Sequence, residues 1–406
     1  MLPLTLQTFY PLLIGGVIFL VLLSISLGTT WKWKRVKNLP QVTVVVCARD
    51  EEETIFDCMM SLATQDYPVD LYRVLLVDHL SKDRTGELMD KFIESAPINA
   101  EVNHITKPDS LYVGKIQGLM AALDQVKSEI VLLTDADCIV PESWIRTIVS
   151  YFSNDVVAVG GLVATGEDGI EPTRVTRLQN VDHRYYLGIQ AGLAGIAGWL
   201  YNLKPFRGSK RPIYRPAFCS GNNLAFRLAA YKEVGGFRAV GPSLVEDHAL
   251  IKKMLRATGK RIVITLDPEA RVQTIPQTSY RGLWHQKRRW GEAMRKVSLL
   301  DYTMYLFVFS SKILLPWLLL FHPMASFSAL VLVAIGSFMV IQTVSSKTSD
   351  HIQWRDILFH EIYQVLLNHS LLIAVLIGSP VFWKGQRYGR GSSPTGRERN
   401  KPSACS

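Results

Sequence analysis

From Phe9 to Gly28 the chain carries no charged residue, and that stretch is long enough to cross the hydrocarbon core of a bilayer as a helix. Two more apolar regions come late, from Thr303 to Val344 and from Ile362 to Phe382. The long middle region must therefore fold between membrane elements. A secretory signal begins with basic residues and ends at a small-residue cleavage site. Here the basic residues come afterwards, at Lys32, Lys34, Arg35 and Lys37. That order predicts an uncleaved anchor over residues 1–30 and a cytoplasmic place for the middle region.

The late membrane region, residues 303–383, admits two arrangements. The tail, residues 384–406, holds Lys384, Arg387, Arg390, Arg397, Arg399 and Lys401, whereas the loop from Ser345 to Glu361 holds only Lys347 and Arg355. Basic flanks stay in the cytoplasm, which favours an even number of spans after the middle region. Lys312 in mid-span would also be costly. The preferred arrangement makes 303–321 re-entrant or interfacial and 324–344 and 362–382 true spans. The other is a four-span chain whose basic tail breaks the rule.

Composition narrows the class. Lys and Arg number 45 against 35 Asp and Glu, a net charge of +10, and the basic residues cluster beside apolar segments. No nucleic-acid-reading motif accompanies them, so the excess is assigned to anionic lipid. An apolar fraction of 48% excludes a disordered tail protein. Cys47, Cys58, Cys138, Cys219 and Cys405 form no CxxC pair, which excludes a disulfide scaffold and a zinc site.

Between residue 40 and roughly 300, β-branched runs alternate with helical patterns. Val42 to Cys47, Arg73 to Val77 and Ile130 to Thr134 read as strands buried on both faces, with Val156 to Val159 and Ile262 to Leu266 as shorter candidates. Helices are expected near 51–65, 84–95, 115–126 and 142–152, the last opened by Pro141. Such alternation predicts an α/β fold, a mostly parallel sheet covered on both faces, whose ligands bind at the carboxyl ends of the strands.

Acidic residues stand at those ends. Asp50 comes after the first strand, Asp78 ends the second with Ser81, Asp83 and Thr85 after it, and Asp135-Ala136-Asp137 ends the third. Two carboxylates two residues apart at a strand end can share a pocket, and their hard oxygens suit Mg2+ or Mn2+. Strand-end aspartates also cap the next helix, and for Asp50 or Asp83 singly that role is as good. One cap does not need two carboxylates, so Asp135 and Asp137 favour the metal. Glu246-Asp247 leads a helix from Asp247 to Arg256 and reads either as a dipole-stabilised helix start or as a general base. Trp284-His285-Gln286-Lys287-Arg288-Arg289-Trp290 reads as an interfacial helix with its basic residues at headgroups, or as an arginine grip on a diphosphate; both can hold together.

In this order, Asp78, Asp135-Ala136-Asp137, Glu246-Asp247 and Gln286-x-x-Arg289-Trp290 resemble the membrane-bound members of glycosyltransferase family 2, ceramide glucosyltransferase-like enzymes and processive polysaccharide synthases. The resemblance covers about residues 40 to 300. It implies a GT-A (nucleotide-diphospho-sugar transferase) domain over 40–276, an interfacial helix over 277–300, and flanking transmembrane helices. It also implies metal-dependent, inverting transfer from a UDP-sugar. By position, Asp78 and the turn Ala48-Arg49-Asp50 would meet the nucleobase and ribose. Lys115, after Gly114, resembles the donor-side lysine. Asp135 would face the ribose or sugar, Asp137 would ligate the metal, and Asp247, in its pair with Glu246, would be the base. Gln286, Arg289 and Trp290 would close over the diphosphate and acceptor. Three positions depart from the pattern: His79-Leu80 replaces an acid and a glycine, and Met120 replaces an asparagine.

Residues 166–222 form an insertion with an apolar, glycine-rich stretch, Leu193 to Leu200, which reads equally as a packed core helix or as a segment dipping into the cytoplasmic leaflet. His183 at its start is a candidate acceptor contact. Ser220 to Arg227 resembles a family strand on the acceptor side, where Gly221 allows close approach. The expectation is a single transfer, of glucose from UDP-glucose by family frequency, to a lipid hydroxyl. That lipid would be a sphingoid lipid, a glycerolipid, a hopanoid or a carotenoid alcohol. A polysaccharide synthase subunit and a noncatalytic glycan-binding scaffold are the competing readings.

Overall fold

The computed structural model describes residues 39–109, 111–112, 115–166, 172–202, 219–241, 246–291, 320–348, 352–383 and 386–388, with isolated positions at 20, 21, 24, 37, 312–314 and 317. Most of the expected anchor, most of 303–321, Gly114 and nearly all of the basic tail lie outside these residues.

The middle region opens with strand β1 (Val42–Ala48), helix α1 (Ile55–Ala63), β2 (Tyr72–His79), α2 (Thr85–Ser95), β3 (Ala100–Ile105), α3 (Lys115–Leu123) and β4 (Ile130–Asp135). After β4 come β5 (Cys138–Ile139), α4 (Trp144–Val149), β6 (Val156–Gly160), β7 (Val163–Thr165) and the long helix α5 (Arg174–Asn202). Next are β8 (Leu224–Arg227), α6 (Leu228–Glu233), α7 (Gly236–Val240), α8 (Glu246–Thr258), β9 (Arg261–Ile264), β10 (Val272–Thr274) and α9 (Tyr280–Gly291). Two long helices follow, α10 (Pro323–Lys347) and α11 (Trp354–Leu376), and then a short antiparallel pair, β11 (Val381–Trp383) and β12 (Gln386–Tyr388).

The main sheet runs β3-β2-β1-β4-β8-β6-β9. β1, β2, β3 and β4 are parallel, β8 lies antiparallel between β4 and β6, and β6 is parallel to β9. Alternate residues of β1 enter two separate apolar clusters, Val45 on one face and Val44 and Val46 on the other. Burial on both faces is what its unbroken β-branched run demands. A small sheet, β5-β10-β7, lies beside it. Buried Asn223 stitches the two sheets together. Its amide donates to Leu162 O and Ala270 O, each at 2.8 Å, and its oxygen accepts from Trp144 Nε1 at 3.0 Å. A Cβ on Gly161 would sit 2.4 Å from that amide nitrogen, so only glycine admits it.

Two expectations are corrected and one is narrowed. The edge strand β3 has no counterpart among the expected strands, because an edge needs no two-sided burial and Glu101, Asn103 and His104 keep it polar. The glycine-rich stretch is the second half of α5, and Val181, Tyr185, Ile189 and Leu193 pack in the core with Val340 and Ile341 of α10. Within the stretch itself, Leu193 and Ala194 are buried in that core, as the packed-helix reading expects. The third apolar region begins earlier than Ile362, because α11 opens at Trp354 and takes in Glu361, a residue expected in a loop. Glu361 is the buried ion-pair partner of Lys312, so the cost argument against burying Lys312 falls.

α10 and α11 are long and apolar enough to cross a membrane. Phe327, Ile335, Phe338, Phe359, Ile362 and Leu366 are exposed along them, the outward apolar surface that lipid would cover. Leu20, from the expected anchor, packs against Gly336 of α10.

Replacing Asn223 with Ala strands three buried hydrogen-bonding groups, each worth about 1–3 kcal/mol. Unfolding of the Asn223→Ala variant by denaturant, followed by tryptophan fluorescence, is expected to show a loss of at least ~3 kcal/mol.

Candidate active site

Strand register gathers the acidic residues. Ala48 lies beside Asp78, and Cys47 beside Asp135, along the carboxyl edge of the sheet. Asp78 faces His104 across the β2–β3 ladder. Asp78 Oδ2 is 3.1 Å from His104 Nδ1, and His104 Nε2 is 3.0 Å from Asp90 Oδ1. The hydrogen bond to Asp78, opposed by partial burial and aided by Asp90, raises the His104 pKa. A Cβ on Gly86 would stand 2.7 Å from Asp78 Oδ2, so that glycine clears space for the carboxylate.

Asp50 does not cap α1. Its backbone is left-handed, with φ 53°, and it clamps two loops. Asp50 N donates to Ser81 Oγ at 3.1 Å, and Asp50 Oδ1 accepts from Lys82 N at 2.8 Å. Glu51 N and Glu52 N donate to Thr85 Oγ1 and Asp83 Oδ2 at 2.8 and 3.1 Å. Asp83 also accepts from Thr85 N at 3.0 Å at the start of α2, so for Asp83 the capping role holds. Leu80, where the resembled family has glycine, takes φ 60°. The turn keeps a glycine's backbone and bears the strain of a side chain there.

Lys115 donates to Asp135 Oδ1. Burial opposes the Lys115 charge, but Asp135 and then Glu246 outweigh it and hold the ammonium above its ordinary range. Glu246, on the first turn of α8, is raised by burial and by Asp247, while Lys115 and Arg289 pull it back. One electrostatic neighbourhood thus joins Lys115, the strand-end aspartates, the acidic pair and Arg289. For Asp137, burial and then the like charges of Asp135 and Glu51 push the carboxyl up to about 6. Cys138 Sγ donates to Asp137 Oδ1 at 3.5 Å.

Asp247 is seated by a glycine. A Cβ on Gly221 would be 2.8 Å from Asp247 Oδ2, and Asp247 Oδ1 accepts from His248 N at 2.7 Å. The segment carrying Gly221 is tied to the end of β4: Thr134 Oγ1 donates to Asn222 O at 3.0 Å, and Asn222 Nδ2 lies 3.8 Å from Cys138 Sγ. The Asp247 carboxylate is therefore brought beside the strand that ends in Asp135 and leads to Asp137.

α9 covers this side. Gln286 Oε1 is buried with no hydrogen-bond partner among the described residues, an acceptor left for a ligand or water. The Trp290 ring lies 4.0 Å from Lys287 Nζ and 6.1 Å from the His183 ring. The expected headgroup-facing basic face is corrected in part: Lys287 and Arg288 are buried. Arg288 Nη2 donates to Ser379 O at 3.0 Å, and Trp284 Nε1 donates to Ser370 Oγ at 2.9 Å. The helix is docked on α11 and the residues after it.

Sequence reasoning missed Gly86, His104, Asp182 and His360. The first two carry no motif of their own. His360 could have been flagged as an ionisable residue within an apolar helix, where charge is expensive, whereas Asp182 stands among Gln179, Asn180, His183 and Arg184 and gives no such signal.

Among the described residues no three His, Cys, Asp or Glu side chains converge as a metal cage. The fit rests on Asp137, a partly buried carboxylate strained by its neighbours' charge. A hard divalent cation that takes further oxygens from a diphosphate suits such a sparse donor set.

An α/β sheet with carboxylates at its strand ends, roofed by a helix docked on apolar helices, is the architecture of a nucleotide-sugar transferase at a membrane. The profile described as "Glycosyltransferase like family 2" matches residues 40–293, and that of "Glycosyl transferase family 21" matches 212–393. The chain belongs to the glycosyltransferase family 2-like group and has the GT-A fold. It is 24% identical over 269 residues to a probable glycosyltransferase, YdaM, of Bacillus subtilis, 66% of this chain and 59% of the relative. It is 27% identical over 256 residues to the beta-monoglucosyldiacylglycerol synthase of Synechocystis, 62% of this chain and 47% of that one. The chain thus spans about half the length of these curated relatives. A poly-beta-1,6-N-acetyl-D-glucosamine synthase of Staphylococcus epidermidis is 21% identical over 304 residues, 74% of this chain and 65% of that one. Among solved structures, a mannosyltransferase of Pyrobaculum calidifontis in complex with GDP-Man and Mn2+ superposes with a TM-score of 0.58 at 17% identity, covering 89% of this chain and 96% of that one.

A methyl group at position 221 must displace the Asp247 carboxylate. Gly221→Ala is expected to keep the fold, judged by an unchanged unfolding midpoint, and to lower glycosyl transfer at least 100-fold in a donor-turnover assay.

Proposed function

We propose that this chain moves a hexose, glucose by preference, from a UDP-sugar to the hydroxyl of a membrane lipid at the cytoplasmic face, inverting the anomeric carbon. The observation that carries the reading is the Asp247 carboxylate, seated against Gly221 beside the strand that ends in Asp135. A base there faces the region where a sugar held by the strand-end residues would lie. A relative named as a beta-monoglucosyldiacylglycerol synthase supports the lipid acceptor, as do the two long apolar helices beside the site.

In this reading Asp78 and the Ala48–Asp50 turn hold the nucleobase and ribose on a floor made rigid by the Asp50–Lys82 clamp. Lys115 neutralises Asp135 and leaves that carboxylate oriented toward the ribose or sugar. Asp137 would hold Mg2+ or Mn2+, which would supply charge stabilisation to a departing diphosphate. Arg289 adds a fixed positive charge on the same side, and the Gln286 amide a hydrogen bond. Asp247 takes the proton of the acceptor hydroxyl as its oxygen attacks the face opposite the leaving group. Glu246, held between Lys115 and Arg289, keeps those cations in register. Trp290 offers an apolar face to the lipid or sugar.

Protein in native-lipid nanodiscs, given a panel of UDP-sugars with and without EDTA, tests the reading. Metal-dependent UDP release and one lipid heavier by a single hexose in the mass spectrum are expected. A growing polymer would instead make the chain a polysaccharide synthase, and no turnover with any donor or lipid would remove the transferase reading. Asp137→Asn and Asp247→Asn should each lower turnover at least 1,000-fold. Only the first should weaken metal-dependent donor binding in calorimetry, and full transfer by Asp247→Asn would remove Asp247 as the base.

The Asp137 carboxyl, pushed up to about 6, makes metal binding compete with a proton. Above that pH the carboxylate is free for a cation. Mn2+ affinity measured by calorimetry should be flat near pH 7.5 and fall up to about tenfold per pH unit below pH 6.

A further inference from the structure

A second set of buried charges lies apart from the strand ends. Asp182, near the middle of α5, is fully buried and pairs with Lys287 of α9. Asp182 Oδ1 is 3.1 Å from His360 Nε2 and accepts from Gln364 Nε2 at 2.5 Å, both on α11. His360 Nδ1 stands 3.9 Å from Glu361 Oε1. Glu361 pairs with Lys312, whose ammonium also donates to Ser337 Oγ of α10 at 3.2 Å. Buried ionisable groups thus lead from the roof of the candidate active site to α11, and Ser337 extends the set to α10.

Apolar side chains of the same volume would fill such a space at less desolvation cost. The arrangement gives something that apolar packing cannot. The Lys287 ammonium sits 4.0 Å from the Trp290 ring centroid and 5.0 Å from that of Tyr186. A cation at that distance, screened from water, holds an indole in place. Its own position is fixed by Asp182, and Asp182 is fixed in turn by His360 and Gln364. Shifting α11 moves the carboxylate, the ammonium and then the ring.

We propose that Asp182 and Lys287 are positioning residues that hold the Trp290 indole on the acceptor side and, through His360, make its place depend on how the membrane helix α11 is seated. The proposal deepens the lipid-transferase reading and rests on it for its kinetic consequence. A lipid acceptor must come from the bilayer beside α10 and α11, so a tether from α11 to Trp290 lets the helix that meets the lipid set the residue that receives it.

Single substitutions leave a buried charge unpaired and can unfold the protein. The decisive variant therefore carries Asp182→Asn with Lys287→Met, which removes both charges, nearly preserves volume and keeps an oxygen for Gln364. Lys287→Arg, which retains the cation, is its companion. In nanodiscs the double variant should bind the UDP-sugar within twofold of wild type. Its acceptor KM should rise and its kcat fall, each at least tenfold, while Lys287→Arg keeps at least a third of wild-type kcat. Wild-type acceptor kinetics in the double variant, or a loss of donor affinity as large as the loss of kcat, overturns the proposal. Amide hydrogen exchange separates this result from the fate of the transferase reading, since it needs no substrate. At least tenfold faster exchange in 283–290, with β1 and β4 unchanged, upholds the tether even if no lipid proves to be an acceptor; unchanged exchange there overturns it.

Discussion

Parallel strands that end together bring whatever they end in together, and here they end in carboxylates. Four strands in one parallel block set Asp78 and Asp135 along a single edge, with Asp137 just beyond and Asp247 carried to the same place by the segment around Gly221. Like charges so placed must be met by cations. The chain supplies Lys115 to Asp135 and lets Lys115 and Arg289 act together on Glu246. At Asp137 burial, and then the like charges of Asp135 and Glu51, outweigh the pull of Lys115 and push the carboxyl up to about 6. In the proposed transfer, an edge of this kind is preorganised for a positive ion and a diphosphate, and such electrostatic preorganisation is what a leaving diphosphate requires.

Glycines decide how closely the acids can be held. Gly86 makes room for Asp78, and Gly221 for Asp247, each through space that a single methyl group would fill. The backbone reason usually given for glycine does not apply at either position, since neither has a left-handed φ. The turn that does take a left-handed φ carries Leu80 instead. In this protein glycine serves side-chain placement near the site, and strain is tolerated in the loop after β2, as functional loops often tolerate it.

Much of this was legible in the residues. The β-branched runs fixed β1, β2 and β4 because a strand buried on both faces can contain little else, and their acidic ends came with them. β3 was not legible because an edge strand faces water and reads as polar. The clamp made by Asp50 was hidden because an aspartate after a strand looks the same whether it caps a helix or bridges two loops. The burial of Lys287 and Lys312 was also hidden. A basic residue beside apolar sequence is ordinarily a headgroup contact, and only the fold reveals that Asp182 and Glu361 wait for those lysines from distant helices.

Those two pairs also explain how a catalytic-type domain and apolar helices can behave as one body. Apolar packing between α5 and α10 is non-directional and would allow sliding. A buried ion pair does not, because any displacement leaves charge uncompensated in a medium that cannot hydrate it. Lys287 with Asp182 and Lys312 with Glu361 pin α9, α5, α10 and α11 at defined heights relative to one another. In the proposed lipid transfer, whose two substrates would arrive from different phases, that fixed height matters as much as the chemistry. It sets the depth at which a lipid hydroxyl would meet Asp247, and so which headgroups are long enough to reach it.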